Sequence, residues 1–198
     1  MHSNKKRWFI VLTIWMLCII TCIVVKGCSS DNNTSTDDSI VQVYESTPPE
    51  VEDNTLYYTN MQYQAYPVAC TVWQALRENG YNPYVCAGIL GNMMTECGGH
   101  TLNLDHDIYD STGMYYGLCQ WSLRYTPQVN GLDTLGQLDV LFSNIEVNME
   151  YFGGDFEYFL SIRDEKEAAY YFQYYYERGA GTESRSRNAT VALNYFTT

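Results

Sequence analysis

The chain has 198 residues, 46% hydrophobic and 15% aromatic with 19 tyrosines, which suits one globular domain plus appendages. The formal net charge of −12 is unevenly spread. Four of the eleven basic residues (Lys5, Lys6, Arg7, Lys26) flank an N-terminal apolar stretch, and the part after Cys28 carries seven basic against 23 acidic residues. Such an acidic surface argues against charge-driven binding to nucleic acid, anionic lipid or a polyanion, and leaves a neutral polysaccharide compatible.

The first predicted element is the run Trp8 to Val25, apolar apart from Thr13 and Thr21, opened by Lys5-Lys6-Arg7 and closed by Lys26. Its 18 residues stand at the lower edge of a bilayer span, and they fit either a signal sequence or an uncleaved anchor. The basic start favours an inside N-terminus and an exported remainder. Val25-Lys26-Gly27-Cys28 also resembles a bacterial lipobox, with Cys28 as the candidate lipidation site, although Lys26 stands where that pattern wants a small uncharged residue. Either way residues 1–28 predict an extracytoplasmic domain tethered to the membrane. Residues 29–55 read as an acidic linker rich in Ser, Thr and Asn, too polar to fold, that lets the domain reach off the membrane.

Residues 56–198 read as one mostly helical domain. A helix is expected over Asn60 to Asn79, with Pro67 bending it or marking its true start and Gly80 stopping it. Asn82-Pro83 is a strong restart, with Asn as N-cap and Pro at the first helical position. The helix that follows carries Val85, Ile89 and Met93 at fourfold spacing and runs to Glu96 before Gly98-Gly99. Thr101 to Gly113 is a polar loop, and Met114 to Trp121 is short, aromatic and β-prone. Leu132 to Tyr151 is a helix with Leu135, Leu138, Leu141, Phe142 and Ile145 as its stripe. Asp164 to Arg178 is another, opened by a capping-box variant with Glu167, and Glu183 to Phe196 is the last.

Glu96 ends a largely apolar helix that aims it at the interior or a cleft. Apolar surroundings and the negative end of the helix dipole would both help a carboxyl keep its proton, as a glycosidic general acid must. By position alone, a solvated helix-end residue fits as well. Cys70, Cys86, Cys97 and Cys119 allow three disulfide pairings, and free buried thiols also fit. Cys97 near His100 and His106 raises a thiol protease as an alternative, which needs a reactive thiolate paired with a His in space. No cofactor or metal motif is present in the sequence, and no zinc-type Cys and His spacing.

Ala87-Gly88-Ile89-Leu90-Gly91-Asn92-Met93-Met94-Thr95-Glu96-Cys97-Gly98 closely resembles the catalytic-helix motif of the phage tail lysozyme family, with Cys97 where Ser is frequent. Tyr116-Gly117-Leu118-Cys119-Gln120-Trp121 is similar to that family's second motif, a strand lining the cleft. Val72 to Tyr81, Gly136-Gln137-Leu138-Asp139 and Arg185 to Tyr195 resemble its other helices. The resemblance implies a lysozyme-like, goose-type fold, mainly α within the α+β class, with a short β element at the cleft. It implies cleavage of the β-1,4 bond between N-acetylmuramic acid and N-acetylglucosamine in a peptidoglycan glycan strand, by a muramidase or a lytic transglycosylase. Glu96 would be the general acid, and Tyr116, Gln120 and Trp121 would contact the sugar or shape the site, with Trp121 equally placed to be core. A Cys97 to Cys119 disulfide would tie the two motifs. Asp105, Asp107 and Asp110 are candidates for a second carboxylate, which a transglycosylase would not need. A tethered enzyme of this kind fits local wall opening for a secretion, conjugation or phage tail machine. The rival is a non-catalytic peptidoglycan-binding or assembly module.

Overall fold

The computed structural model describes residues 56–198. The apolar N-terminal run, Cys28 and the linker lie outside the described residues. No helix among the described residues is long and apolar enough to cross a membrane.

The chain opens with helix α1 (Asn60–Ala65), capped by Thr59, whose hydroxyl accepts from Gln62 N–H while the Gln62 side chain accepts from Thr59 N–H. Helix α2 (Pro67–Glu78) follows after a break at Tyr66. The stretch expected to be helical over Asn60 to Asn79 is two helices, and Pro67 is the start of the second, because it has no N–H to continue the first and occupies position N1. At the end of α2 the Gly80 and Tyr81 amides turn back to the carbonyls of Arg77 and Leu76 with Gly80 at φ +84°, closing a Schellman motif.

Helix α3 (Pro83–Glu96) is the centre of the domain. Asn82 caps it by accepting from the Tyr84 and Val85 amides, and its amide group also donates to the Leu160 and Ile162 carbonyls. Every residue from Val85 to Met94 is buried, so this helix is apolar all round, as a central helix must be. Two glycines let its neighbours come close. A Cβ on Gly88 would lie 2.6 Å from the Ala168 Cβ, and one on Gly91 would lie 2.5 Å from the Ala189 amide nitrogen.

The short β element is a hairpin. Strands β1 (Tyr115–Tyr116) and β2 (Trp121–Ser122) pair antiparallel, with Tyr116 opposite Trp121 and Tyr115 opposite Ser122. The β-prone run Met114 to Trp121 holds β1, the reversal and the start of β2. Gly117 (φ +79°) and Gln120 (φ +45°) reverse the chain, and the Gln120 amide donates to the Gly117 carbonyl.

Helix α4 (Thr134–Tyr151) is capped by Asp133 and buries Leu138, Leu141, Ile145 and Met149. Leu135, expected in that stripe, faces out instead, because Thr134 and Gln137 take the inward positions of the first turns. A short helix α5 (Phe156–Ser161), unanticipated in the sequence, precedes α6 (Glu165–Phe172). Asp164 caps α6 through the Lys166 and Glu167 amides. The expected helix to Arg178 then widens into a π-helical turn, Gln173–Glu177, that ends at Arg178 in the left-handed region. The last helix, α7 (Thr182–Thr197), packs with α6 against α3. Trp73 of α2 stacks on Phe196 of α7 at 4.6 Å, which closes the core on that side.

Candidate active site

The C-terminal end of α3, the hairpin and the segment after the π-helical turn enclose a cleft of about 570 Å³. It is lined by Glu96, Ile108, Tyr109, Asp110, Tyr115, Cys119, Gln120, Glu177, Arg178 and Gly179.

Glu96 is the last residue of α3 and its side chain is 23% exposed. Its surroundings differ from the apolar wall expected: the Glu96 carboxylate is ion-paired with the Arg185 guanidinium of α7. Arg185 is buried and every face of its head group is occupied. Its Nη1 donates to Glu177 Oε2 at 2.5 Å and to Asn92 Oδ1 at 2.9 Å, and its Nε donates to the Ala180 carbonyl at 3.1 Å. Asn92 is itself fully buried and fixed by donating to the Gly88 and Ala169 carbonyls. Asn92 and Glu96 are four residues apart, so one face of α3 presents both to Arg185. Gly179 presses on the pair: a Cβ there would fall 2.6 Å from Arg185 Nη2.

Two carboxyl groups therefore share one guanidinium. The Glu177 side chain is 4% exposed, and its Oε1 is buried without a hydrogen-bond partner. Burial pushes the Glu177 carboxyl up to about 8, against the lowering pull of Arg185 and with the Glu96 charge adding to the rise. Glu177 thus holds a proton at neutral pH. Its neighbour Tyr176 is fixed by accepting from the Trp121 indole N–H and donating to Asn144 of α4.

Of the three expected sugar contacts, Gln120 lines the cleft, with its amide group donating to the Gly117 and Ile108 carbonyls. Tyr116 and Trp121 are buried and do not line it. Tyr116 donates its hydroxyl to Asp107, and the Trp121 indole N–H donates to Tyr176. Of the three loop carboxylates, Asp110 reaches the cleft wall. The Thr112 hydroxyl and the Tyr115, Thr112 and Met114 amides all donate to it and hold its carboxyl down to about 2, so it is ionised. Asp105 and Asp107 are exposed and turn to the loop itself, Asp105 accepting from the Asp107 amide and Asp107 from Tyr116.

All four domain cysteines are free and buried, so the two motifs are not joined through Cys97 and Cys119. They are tied by Gln137, which accepts from the Leu118 amide and donates to the His106 and Leu132 carbonyls, and by the Asp105 amide on the Cys97 carbonyl. Burial pushes the Cys97 thiol up to about 12, and its Sγ donates to the Met93 carbonyl. That is the opposite of an activated thiolate, and the thiol-protease alternative finds no support. Among the described residues no cluster of His, Cys, Asp or Glu is arranged to hold a metal ion.

Sequence reasoning missed Asn92, Glu177 and Arg185 as site residues. The signals were an amide on an otherwise apolar helix four residues before Glu96, and one acid closing the aromatic run Tyr174-Tyr175-Tyr176.

A mainly helical domain with a two-stranded hairpin at a carboxyl-lined cleft defines a lysozyme-like protein. Residues 67–196 match the phage tail lysozyme family. The chain belongs to that family, and so to the lysozyme-like, glycosidase-type enzymes that cut peptidoglycan. No curated protein matches the chain.

Proposed function

We propose that this protein cleaves the β-1,4 bond between N-acetylmuramic acid and N-acetylglucosamine, with Glu96 donating the proton to the leaving oxygen. The observation that carries the proposal is the placement of Glu96, at the end of a helix buried from Val85 to Met94 and on the wall of a cleft that holds a second carboxyl and a guanidinium. Glycoside cleavage needs one carboxyl that can deliver a proton and a means of supplying the nucleophile. Gln120 and the aromatic side chains of Tyr109 and Tyr115 would hold the sugar rings in the cleft.

The nucleophile distinguishes two chemistries. In hydrolysis a carboxylate positions water on the opposite face of the sugar. In transglycosylation the muramic acid's own hydroxyl attacks and leaves an anhydro end. The ionised Asp110 on the cleft wall points to hydrolysis, in which it would take a water in exchange for one of the four loop hydrogen bonds that it accepts. A non-catalytic binding module would gain nothing from two carboxyls gathered on one buried arginine. The basic and apolar N-terminal run supports export and tethering, and with them local wall opening.

Mass spectrometry of the fragments released from purified peptidoglycan tests this. Reducing muramic acid ends are expected. Anhydro ends would make the enzyme a transglycosylase and remove Asp110 from the chemistry. Wild-type protein that sediments with peptidoglycan and releases no fragments would overturn the catalytic proposal.

A further inference from the structure

The resting arrangement poses a problem for the chemistry. Glu96 is the proposed acid, yet it is ion-paired with Arg185. An ion-paired carboxylate has no proton to give. Glu177, one guanidinium away, is buried, lines the same cleft and keeps one oxygen without a partner.

Resting on the assignment of Glu96 as general acid, we propose that Glu177 is a proton-holding positioning residue. It stores the proton that Glu96 delivers, and Arg185 exchanges its ion pair from one carboxyl to the other as the proton moves. The charge count is the first support. Two carboxyls and one guanidinium are neutral together when they hold one proton, and carry a net −1 when they hold none. A buried site favours the neutral state. The second support is the environment. Glu177 is almost fully enclosed, so it is the costlier of the two to ionise in the empty cleft, whereas Glu96 still meets solvent. A glycan lying in the cleft strips that solvent from Glu96 and evens the difference. The proton then leaves Glu177 for Glu96 through the cleft that both line. Glu177, now ionised, keeps the Nη1 contact of Arg185, and the guanidinium charge is conserved throughout.

The groups around Glu177 permit this exchange. Arg185 of α7 supplies the one positive charge, and Glu96 of α3 the competing negative one. Cys97 at the end of α3 and Cys119 of the hairpin turn are thiols held neutral by burial. Tyr176 beside Glu177 is likewise held neutral, and α4 contributes the uncharged Asn144 through Tyr176. Arg178, which also lines the cleft, sets its guanidinium over the Phe152 ring at 4.2 Å. The remaining charge on the cleft wall is the Asp110 carboxylate, which its loop donors hold ionised down to about 2, so it does not compete for the proton.

The test is the pH profile of fragment release by the full-length protein, wild type against Glu177→Gln. The wild-type alkaline limb is expected near pH 8, where Glu177 loses its proton. The variant keeps a neutral group against Arg185 but cannot store a proton, so its alkaline limb should move acid by at least about one unit. At pH 7 it should fall below wild type and recover as the pH is lowered. An unmoved limb would reduce Glu177 to a structural role. Loss of activity at every pH with the fold intact would make it a direct participant; either result overturns the proposal. Carbon-13 NMR of the wild-type glutamate carboxyls is independent of how the variant folds. Glu177 should show the protonated acid at pH 6.5, and a carboxylate shift there would overturn the proposal. An active Glu96→Gln protein would instead sink the acid assignment itself, so the two failures are distinguishable.

Discussion

Substituting Arg185 with Met removes the single positive charge on which the cleft is built while keeping most of the side-chain volume. Glu177 loses its 2.5 Å partner, Asn92 loses its 2.9 Å donor, and Glu96 loses its counter-ion. Deleting one partner of a buried pair costs about 3–5 kcal/mol, most of it from the charge left behind. Glu177 already holds its proton at pH 7, so the charge left behind is that of Glu96, which still meets solvent, and the cost falls toward the lower figure. At about 3–4 °C per kcal/mol for a domain of this size, calorimetry at pH 7 should show Tm falling by about 10 °C. The double variant Arg185→Met/Glu177→Met replaces the pair with apolar groups, and it should be more stable than the single variant by at least about 1 kcal/mol. A double variant as unstable as the sum of the two single ones would show that the buried charges are not coupled, and would refute the shared-guanidinium arrangement.

Stability should also depend on pH through Glu177. Its folded carboxyl is raised from the ordinary 4.5 to about 8, so between those values the folded state holds a proton that the unfolded chain has lost. The stabilisation is fully present below the ordinary value and is lost as pH rises toward about 8, at no more than about 1.4 kcal/mol per pH unit. Urea titrations at pH 5, 6.5 and 8 should show this fall, and Glu177→Gln should flatten it. Gly91→Ala forces a Cβ against the Ala189 backbone. It should lower stability by about 1–3 kcal/mol in the same urea assay, and a neutral result would mean that α3 and α7 are not in such close contact. Cys70, Cys86, Cys97 and Cys119 should resist iodoacetamide in the folded protein and be alkylated on denaturation, read by peptide mass spectrometry. Rapid native labelling of Cys97 would contradict its burial.

The helices were legible where a cap and a long apolar pattern coincided. Asn82-Pro83 opens α3, Asp164 opens α6 and Gly80 closes α2, each through contacts that the residue types themselves predict. Shorter events were not. Six residues of α5 are too few to show a period, and the π-helical turn at Gln173 changes the course of a chain that reads as continuous helix, whereas Pro67 marked the break at Tyr66. The hairpin hid inside a β-prone run, because its reversal depends on a left-handed backbone at Gly117 and at Gln120, a residue that seldom adopts one. For the site, Glu96 could be singled out because a motif surrounds it. Glu177 and Arg185 could not be joined to it, since their meeting depends on α7 crossing α3 at the Gly91 contact, a long-range event with no local signature. Asp110 stood in the sequence as one of three equivalent loop acids, and its distinction comes from the loop that folds around it.

The central claim is that Glu96 delivers the proton that breaks the glycan strand. Its most direct test is the rate of soluble fragment release from peptidoglycan at pH 6 by Glu96→Gln, with circular dichroism and Tm used to establish an intact fold. General acid catalysis contributes about 10²–10⁴-fold, so release by the variant should fall by at least about a hundredfold. A folded Glu96→Gln protein that releases fragments at a rate near that of the wild type would contradict the account.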